Sequence, residues 1–256
     1  MSDSIKHECG VAMLRLLKPL EYYQKKYGTS LYGLNKMYLL MEKQHNRGQD
    51  GVGLANVKLD VAPGKRYISR KRSVASNPIQ DVFKQVNKRF VELEERDPDK
   101  LKDPKWMKEN LPFTGELFLG HLRYGTFSSN TIEQCHPFLR QNNWKTRNLV
   151  LAGNFNMTNV DELFEQLVDL GQHPKQMADT VTILEKIGHF LDEANDDIYY
   201  ENREKFSKKE ITKVIEDKLD LQDVLIQSAK YWDGGYVMCG LLGHGDAFAL
   251  RDPNAI

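Results

Sequence analysis

The order of the predicted strands and helices constrains the fold of this chain more than any other feature. An apolar run with strand character opens at Gly10, and further strands are predicted in "GLANVKL", "RYISR", "ELFLGHLRYGT" and "NLVLAGNF". A last pair of strands flanks a "GHGD" turn near residue 244. Strands cluster toward both ends with helices in between, without a regular strand–helix–strand alternation or an internal repeat. The sequence therefore predicts an α+β fold rather than a doubly wound parallel sheet.

Several helix boundaries can be predicted from local signals. Residues 31–41 carry apolar side chains at helical spacing up to "KQHNRGQDGVG", so "RGQD" is predicted to lie on a turn between a helix and a strand. Pro78 is predicted to start an amphipathic helix. Asn159 with Glu162 predicts a capping box, and Asp179 is predicted to open another helix. The charged stretch "EERDPDKLKDPKWMKEN" is interpreted as a solvated helix end followed by a loop.

Composition excludes several classes of function. The 256 residues are 40% hydrophobic and contain equal numbers of basic and acidic side chains, so the formal net charge is zero. A neutral balance argues against a nucleic-acid surface, and no stretch approaches the ~20 consecutive apolar residues of a membrane span. Residues 1–8 lack the apolar core of a secretory signal. We therefore expect a cytoplasmic protein with neither a nucleic-acid nor a membrane partner.

Three widely spaced cysteines form neither a disulfide framework nor a paired metal motif: Cys9, Cys135 and Cys239. Cys9 stands immediately before the first strand, behind a short polar leader. A cysteine nucleophile needs a base, which is a histidine or, for an N-terminal nucleophile, its own α-amino group with a pKa of about 7.7 to 8.0. On the local sequence alone, an inert buried thiol is the more frequent alternative for an internal cysteine.

Polar residues at strand and helix ends offer a binding chemistry for an amino acid. Arg123 could pair with a carboxylate, Asn154 could donate an amide hydrogen, and Asp179 could hold an ammonium group. Each residue also has a structural interpretation, as a salt-bridge partner, a turn former and a helix cap respectively. Individually, the structural interpretations are the more frequent ones.

The motifs in combination carry a family resemblance. Cys9-Gly10, "RGQDGVG", "GHLRYGT", "LAGNFNMTN" and "ADT" occur in this order and resemble the glutaminase domain of the amidophosphoribosyltransferase family, over essentially the whole chain. The nearest competitors are other class II glutamine amidotransferases, namely glucosamine-fructose-6-phosphate aminotransferase, asparagine synthetase and glutamate synthase. "RGQD" in place of the aminotransferase's "RGYD" favours the first family. The final "RDPNAI" is similar to the segment where that family enters its phosphoribosyltransferase domain.

This resemblance implies an N-terminal-nucleophile hydrolase fold, an αββα sandwich of two antiparallel sheets between helical layers. It also implies that residues 1–8 form a leader removed by autocatalysis and that residues 9–256 form a class II glutaminase domain. The phosphoribosyltransferase domain is then expected to be absent from this chain.

The resemblance further implies a catalytic apparatus centred on Cys9, which acts as both nucleophile and base on the glutamine side-chain amide. The Asn154 side chain and the Phe155 backbone N–H match the oxyanion donors. The family usually has glycine after this asparagine, so Phe155 is expected to crowd a place where the backbone needs close approach.

The resemblance assigns roles to three further residues. Arg123 matches the residue that pairs with the glutamine α-carboxylate, Asp179 the residue that holds the α-ammonium group, and Arg47 an arginine that orders the site beside the nucleophile. His7, next to the predicted cleavage point, could assist leader removal, although an exposed terminal histidine is the simpler interpretation.

The same resemblance predicts which cofactors and partners to expect. No cofactor or metal is expected in this chain, whereas Mg²⁺ and an iron–sulfur cluster are expectations for a full-length enzyme; Cys135 and Cys239 lack the spacing of cluster ligands. The expected partners are glutamine and the phosphoribosyltransferase domain, with homo-oligomerisation of the full-length protein. The alternatives are another class II glutaminase, a catalytically silent glutamine-binding module, and a papain-like protease that pairs Cys9 with His121 or His136.

Overall fold

A computed structural model describes residues 8–125 and 131–253. The chain divides into two compact units, of which the first contains Met1–Pro137 with Ala152–Asn154 and the second contains Phe138–Leu151 with Phe155–Ile256. The predicted leader lies outside the described residues except for Glu8, as do His7 and Thr126 of "GHLRYGT". No helix in the described ranges is long and apolar enough to cross a membrane.

The first unit contains one four-stranded antiparallel sheet in the order β1-β4-β2-β3. Its strands are β1 (Gly10–Arg15), β2 (Gly51–Val57), β3 (Ile68–Ser73) and β4 (Leu117–Arg123). Its helices are α1 (Leu20–Tyr27), α2 (Tyr32–Lys43), α3 (Pro78–Arg96) and α4 (Pro104–Asn110). Short 3₁₀ turns span Pro98–Lys102 and Ile132–Gln134.

Helices α2 and α3 pack against this sheet and supply most of its core. Helix α2 buries Leu34, Met37 and Met41, which recur every three or four residues as the sequence predicts. Gly120 of β4 permits the close approach of α2, because a Cβ atom there would overlap the side chains of both methionines. Every residue of β2 and β4 is buried, as expected for the two central strands.

The second unit contains a sheet in the order β5-β6-β7-β8. Its strands are β5 (Phe138–Arg140), β6 (Leu149–Met157, of which Ala152–Asn154 belong to the first unit), β7 (Gly234–Leu242) and β8 (Ala247–Arg251). A 3₁₀ turn spans Lys145–Arg147. Its helices are α5 (Val160–Asp169), α6 (Asp179–Asn202), α7 (Ile211–Lys218) and α8 (Leu221–Ala229). Strands β5 and β6 pair antiparallel, and so do β7 and β8, which form the predicted hairpin. The predicted α+β class is confirmed.

Two local predictions are wrong. The charged stretch after residue 93 is not a simple loop, because Asp103 accepts a hydrogen bond from the Trp106 N–H (3.0 Å) and caps α4, which buries Met107 in the core. The capping box at residue 159 does not form. Asn159 occupies the N-cap position of α5, but its side chain donates to the carbonyl of Tyr231 (2.7 Å) and holds the turn before β7 instead.

Candidate active site

Cys9 lies beside the end of strand β4, as the pairing of β1 with β4 requires. Gly10 pairs with Leu122, so the residue before β1 reaches the end of β4. The half-buried Cys9 thiol accepts a hydrogen bond from the Tyr124 backbone N–H, with 3.5 Å between nitrogen and sulfur, and its Sγ lies 3.9 Å from the Tyr124 carbonyl oxygen. Burial raises the pKa of the Cys9 thiol, although the Tyr124 N–H and the positive charge of Arg123 act in the opposite direction. The thiol therefore needs a base before it can attack.

Arg123 ends strand β4, with a side chain that is only 7% exposed. Its Nη2 donates to Gln134 Oε1 at 2.9 Å, which fixes the orientation of the guanidinium group. A buried guanidinium is suited to bidentate binding of a carboxylate. The predicted contact with a glutamine α-carboxylate stays a prediction.

Asp50 is a site residue that the sequence analysis missed. Its backbone N–H donates to the Arg123 carbonyl (3.0 Å), and its carboxylate accepts from the Gly125 N–H (2.8 Å). Asp50 thus fixes the corner formed by residues 123–125, which contains Arg123 and the Tyr124 N–H that donates to Cys9. Its membership of the "RGQD" motif was the available signal. Gly48 of the same motif permits this packing, since a Cβ atom there would lie 2.6 Å from the Leu122 backbone.

Arg47 lies on the predicted turn between α2 and β2 and is exposed. Its Nη2 forms an ion pair with the Glu8 carboxylate at 3.6 Å, and about half of each side chain is exposed to solvent. Exposed ion pairs contribute little to stability. The contact does place Arg47 beside the residue that precedes Cys9, and its proposed ordering role stays a prediction.

Asn154 and Phe155 lie consecutively on β6 and are both half-buried. Asn154 belongs to the first unit, as do Cys9 and Arg123, whereas Phe155 packs against the hydrophobic core of the second unit. Their predicted role as oxyanion donors stays a prediction.

Asp179 is the first residue of α6, as predicted, and is half-buried. Its carboxylate accepts a hydrogen bond from the Met157 N–H of β6 at 3.0 Å, and it does not cap its own helix. A negative charge at a helix N-terminus is electrostatically favourable. Its predicted contact with an ammonium group stays a prediction.

The structure gives no support to a papain-like pairing. Within residues 8–125 and 131–253, the Cys9 thiol hydrogen-bonds only the backbone of Tyr124 and neither His121 nor His136. Both histidines are buried, and desolvation lowers the pKa of His121 to about 4 and that of His136 well below its usual value. Such imidazoles are poor general bases at neutral pH.

The other two cysteines have no metal-binding environment in the described part of the chain. Cys135 is fully buried, and burial raises the pKa of its thiol to about 11. Cys239 is half-buried, and burial also raises its pKa. No group of three potential ligands comes together among the residues that the structure describes.

Comparison with known proteins identifies a similar fold. No protein-family model matches the chain. The structure is similar to glutamine phosphoribosylpyrophosphate amidotransferase from B. subtilis, solved with ADP and GMP, with a TM-score of 0.50 and 20% identity over 96% of this chain and 37% of that one. The predicted N-terminal-nucleophile hydrolase fold is thereby confirmed.

Two curated proteins are similar to the chain in sequence. The chain is 27% identical over 215 residues to the amidophosphoribosyltransferase of Pasteurella multocida (strain Pm70), covering 83% of this chain and 32% of the relative. It is 24% identical over 225 residues to the amidophosphoribosyltransferase of Haemophilus influenzae (strain ATCC 51907 / DSM 11121 / KW20 / Rd), covering 86% and 34% respectively. The predicted resemblance to amidophosphoribosyltransferase is confirmed, and the chain spans about a third of the length of these curated relatives.

Proposed function

We propose that this chain is the glutaminase domain of an amidophosphoribosyltransferase, which hydrolyses glutamine to glutamate and ammonia through a thioester on Cys9. The observation that carries the proposal is the position of the Cys9 thiol against the end of β4, beside the buried Arg123 and on the corner held by Asp50. An inert filler thiol would need neither the fixed guanidinium nor the backbone donor. The relatives' names support the same reaction class.

The chemistry begins with cleavage of the Glu8–Cys9 bond. While Glu8 is attached, the Cys9 nitrogen is a peptide nitrogen and cannot accept the thiol proton. Once residues 1–8 are removed, the free α-amine takes this proton, and the thiolate attacks the carboxamide carbon of glutamine. The raised pKa of the buried thiol makes this internal base necessary.

The remaining steps use the other predicted residues. The oxyanion of the tetrahedral intermediate accepts hydrogen bonds from the Asn154 amide and the Phe155 N–H. Ammonia leaves with a proton from the Cys9 amine, and water then hydrolyses the thioester to release glutamate. Arg123 binds the substrate carboxylate, Asp179 binds its ammonium group, and Arg47 orders the approach to Cys9.

In the intact enzyme, we propose that a phosphoribosyltransferase domain uses the ammonia to displace pyrophosphate from phosphoribosyl pyrophosphate, the first step of purine synthesis. Mg²⁺, an iron–sulfur cluster and homo-oligomerisation belong to this proposed full-length enzyme. The reaction proposed for the present chain requires none of them, because the nucleophile, its base and the oxyanion donors are all its own groups. We also propose a cytoplasmic location.

One experiment tests the nucleophile directly. Intact mass is measured first, and the protein is then treated with a glutamine-mimicking electrophile and mapped for adducts. We expect loss of residues 1–8, labelling at Cys9 and release of glutamate from glutamine. Cys9→Ser should abolish labelling and glutamate release, whereas the matched control Cys239→Ser should retain both. A retained leader together with an unlabelled Cys9 and no glutamate would overturn the proposal.

Substrate binding is tested by a conservative pair at residue 179. Asp179→Asn removes the charge but keeps an oxygen that can accept from the Met157 N–H, so the fold should persist while the KM for glutamine rises. Asp179→Ala removes both the negative charge and the acceptor for the Met157 N–H. An unchanged KM in Asp179→Asn would exclude the proposed ammonium contact.

A catalytically silent glutamine-binding module is the second candidate, favoured by a phenylalanine at residue 155 where the family usually has glycine; its side chain is partly buried against the second hydrophobic core. Calorimetric binding of glutamine without glutamate release would support it. Another class II glutaminase is distinguished by the acceptor, since only an amidophosphoribosyltransferase passes ammonia to phosphoribosyl pyrophosphate.

A further inference from the structure

Two buried histidines meet in the first unit, although they are distant in sequence. His121 lies in β4, and His136 follows the 3₁₀ turn at Ile132–Gln134. Their ring centroids are 4.4 Å apart, with the ring planes tilted by 33°. They are only 1% and 8% exposed, respectively. The mechanism above uses neither of them.

Both rings bind the backbone of one residue, Gly153. His121 Nε2 lies 3.1 Å from the Gly153 carbonyl oxygen, and His136 Nδ1 lies 3.2 Å from the Gly153 nitrogen. A carbonyl oxygen only accepts and an amide N–H only donates, so the roles are fixed. His121 carries its proton on Nε2, and His136 Nδ1 carries none. The N–H and the C=O group of Gly153 are therefore both hydrogen-bonded to histidine side chains.

The position of Gly153 explains why such support is needed. The described pairing of β6 with β5 covers Leu149 to Leu151 and stops two residues before Gly153. The histidines thus replace a neighbouring strand at the point where β6 leaves β5, immediately before Asn154. A buried backbone group without a hydrogen-bond partner destabilises the folded state, so this support is also energetically required.

The segment that carries His136 is itself fixed from strand β3. Arg72 Nη1 donates to the Cys135 carbonyl (2.8 Å), and Arg70 Nη1 donates to the Pro137 carbonyl (3.2 Å). Gly53 of β2 lets the segment lie directly on the sheet, because a Cβ atom there would overlap the His136 carbonyl oxygen. The ring is therefore attached to a part of the structure that has little freedom to move.

Packing alone does not account for the pair. His121 Nδ1 is buried without a hydrogen-bond partner within the described ranges, which is a cost that an apolar side chain would avoid. A buried polar group that is retained at such a cost calls for a specific purpose. Asn154, which follows Gly153 directly, supplies that purpose.

We propose that His121 and His136 form a histidine clamp on Gly153 that positions the Asn154 side chain as an oxyanion donor. The proposal rests on the proposed glutaminase function. The two histidines are positioning residues, since they act through Gly153 and Asn154 and contact no reacting atom. The clamp requires a neutral His136, because a proton on Nδ1 would face the Gly153 N–H.

Variants that keep or remove each hydrogen bond test the clamp. In His136→Asn, the side-chain oxygen can replace Nδ1 as acceptor, whereas His136→Gln places an acceptor one bond farther out and His136→Leu has none. In His121→Gln, the side-chain NH₂ can replace the Nε2 donor, and His121→Leu removes it. We expect His136→Leu and His121→Leu to lower kcat for glutamine hydrolysis by about 100-fold with little change in KM, because a misplaced donor fails mainly in the transition state. His136→Asn and His121→Gln should recover most of the loss, and His136→Gln should lie between.

Alkylation of Cys9 by iodoacetamide separates positioning from general damage. This displacement forms no tetrahedral oxyanion, so the clamp variants should alkylate at the wild-type rate. If the wild type is active and the kcat of the leucine and His136→Gln variants is unaltered, the proposal is overturned. Equal losses of kcat and of alkylation rate in these variants would also overturn it. Absence of glutamate release from the wild type would instead refute the proposed function.

Nuclear magnetic resonance tests the clamp independently of activity. The ¹⁵N shifts of both rings should report neutral imidazoles with the proton on Nε2, and the Gly153 amide should be protected from hydrogen exchange. His136→Gln should shift the Asn154 side-chain amide and reduce the protection of Gly153, whereas His136→Asn should do so less. A different tautomer in the wild type, or an Asn154 side-chain amide that does not respond in His136→Gln, would overturn the proposal even for an inactive protein.

Discussion

The buried histidine pair predicts a specific loss of stability in acid. Burial lowers the pKa of His121 from 6.5 to about 4 and that of His136 well below 6.5, with the charges of Arg123 and Arg72 acting in the same direction. Well above pH 6.5, both rings are neutral in the folded and the unfolded chain. As the pH falls below this value, the unfolded chain binds protons that the folded chain does not. The free energy of unfolding must therefore decrease down to about pH 4.

The size of this loss follows from the same shift. One pKa unit corresponds to about 1.4 kcal/mol, so His121 alone should lower the free energy of unfolding by about 2 kcal/mol at about pH 5 and about 3 kcal/mol at about pH 4. His136 adds a further decrease over the same interval. Such a loss is a large fraction of the ~5–15 kcal/mol that stabilises a typical domain.

Urea unfolding between about pH 7.5 and pH 4 measures the effect in the wild type and in a double variant, His121→Gln with His136→Asn. Carboxylate titration is common to both proteins, so the difference between their pH profiles isolates the histidines. We expect the double variant to lose at least 2 kcal/mol less than the wild type over this interval. Parallel profiles would show that the rings titrate alike in the folded and unfolded chains, and the neutral clamp would then be refuted.

Two further predictions concern stability at neutral pH. Gly53→Ala should lower the free energy of unfolding by about 1–3 kcal/mol, because its Cβ would overlap the His136 carbonyl. In the control Gly125→Ala, the Cβ meets no atom of the described residues closer than 3.5 Å, so the change should be nearly neutral, and equal urea midpoints for the two variants would contradict this. Lys186 is 5% exposed and donates to Gln166 Oε1 and the Lys230 carbonyl, so Lys186→Met should lower the free energy of unfolding by about 1–3 kcal/mol. The exposed control Lys84→Met should change it little, and equal effects in urea unfolding would exclude a role for those hydrogen bonds.

The position of Cys9 could be predicted because it depends on strand ends. The apolar run that opens at Gly10 and the buried run that ends at Arg123 are both visible in the sequence, and antiparallel pairing brings Cys9 to the end of β4. Helix α2 was equally accessible, since its buried residues repeat at helical spacing. Predictions of this kind need only the local pattern and one pairing rule.

Other features depend on contacts that no local pattern encodes. The capping signal at Asn159 is the same whether its side chain binds its own helix or the turn at Tyr231, and the second contact prevails. Helix α4 carries one buried residue, Met107, among charged neighbours, which is too few for a detectable period. The proposed histidine clamp brings together His121 of β4, His136 of a loop and Gly153 of β6, which are distant in sequence, so only the folded structure could reveal it.

The two requirements for catalysis have separate physical origins in this chain and can be lost separately. In the proposed mechanism, the base at Cys9 depends on cleavage of one peptide bond, whereas the oxyanion donor at Asn154 depends on how the buried His121 and His136 hold Gly153. Retaining the leader should lower both alkylation of Cys9 and glutamate release, because both need the thiolate. Releasing the clamp should lower only glutamate release, because alkylation forms no oxyanion. A clamp variant with a free Cys9 amine, normal alkylation and poor turnover is therefore the result expected if the histidines act through Asn154.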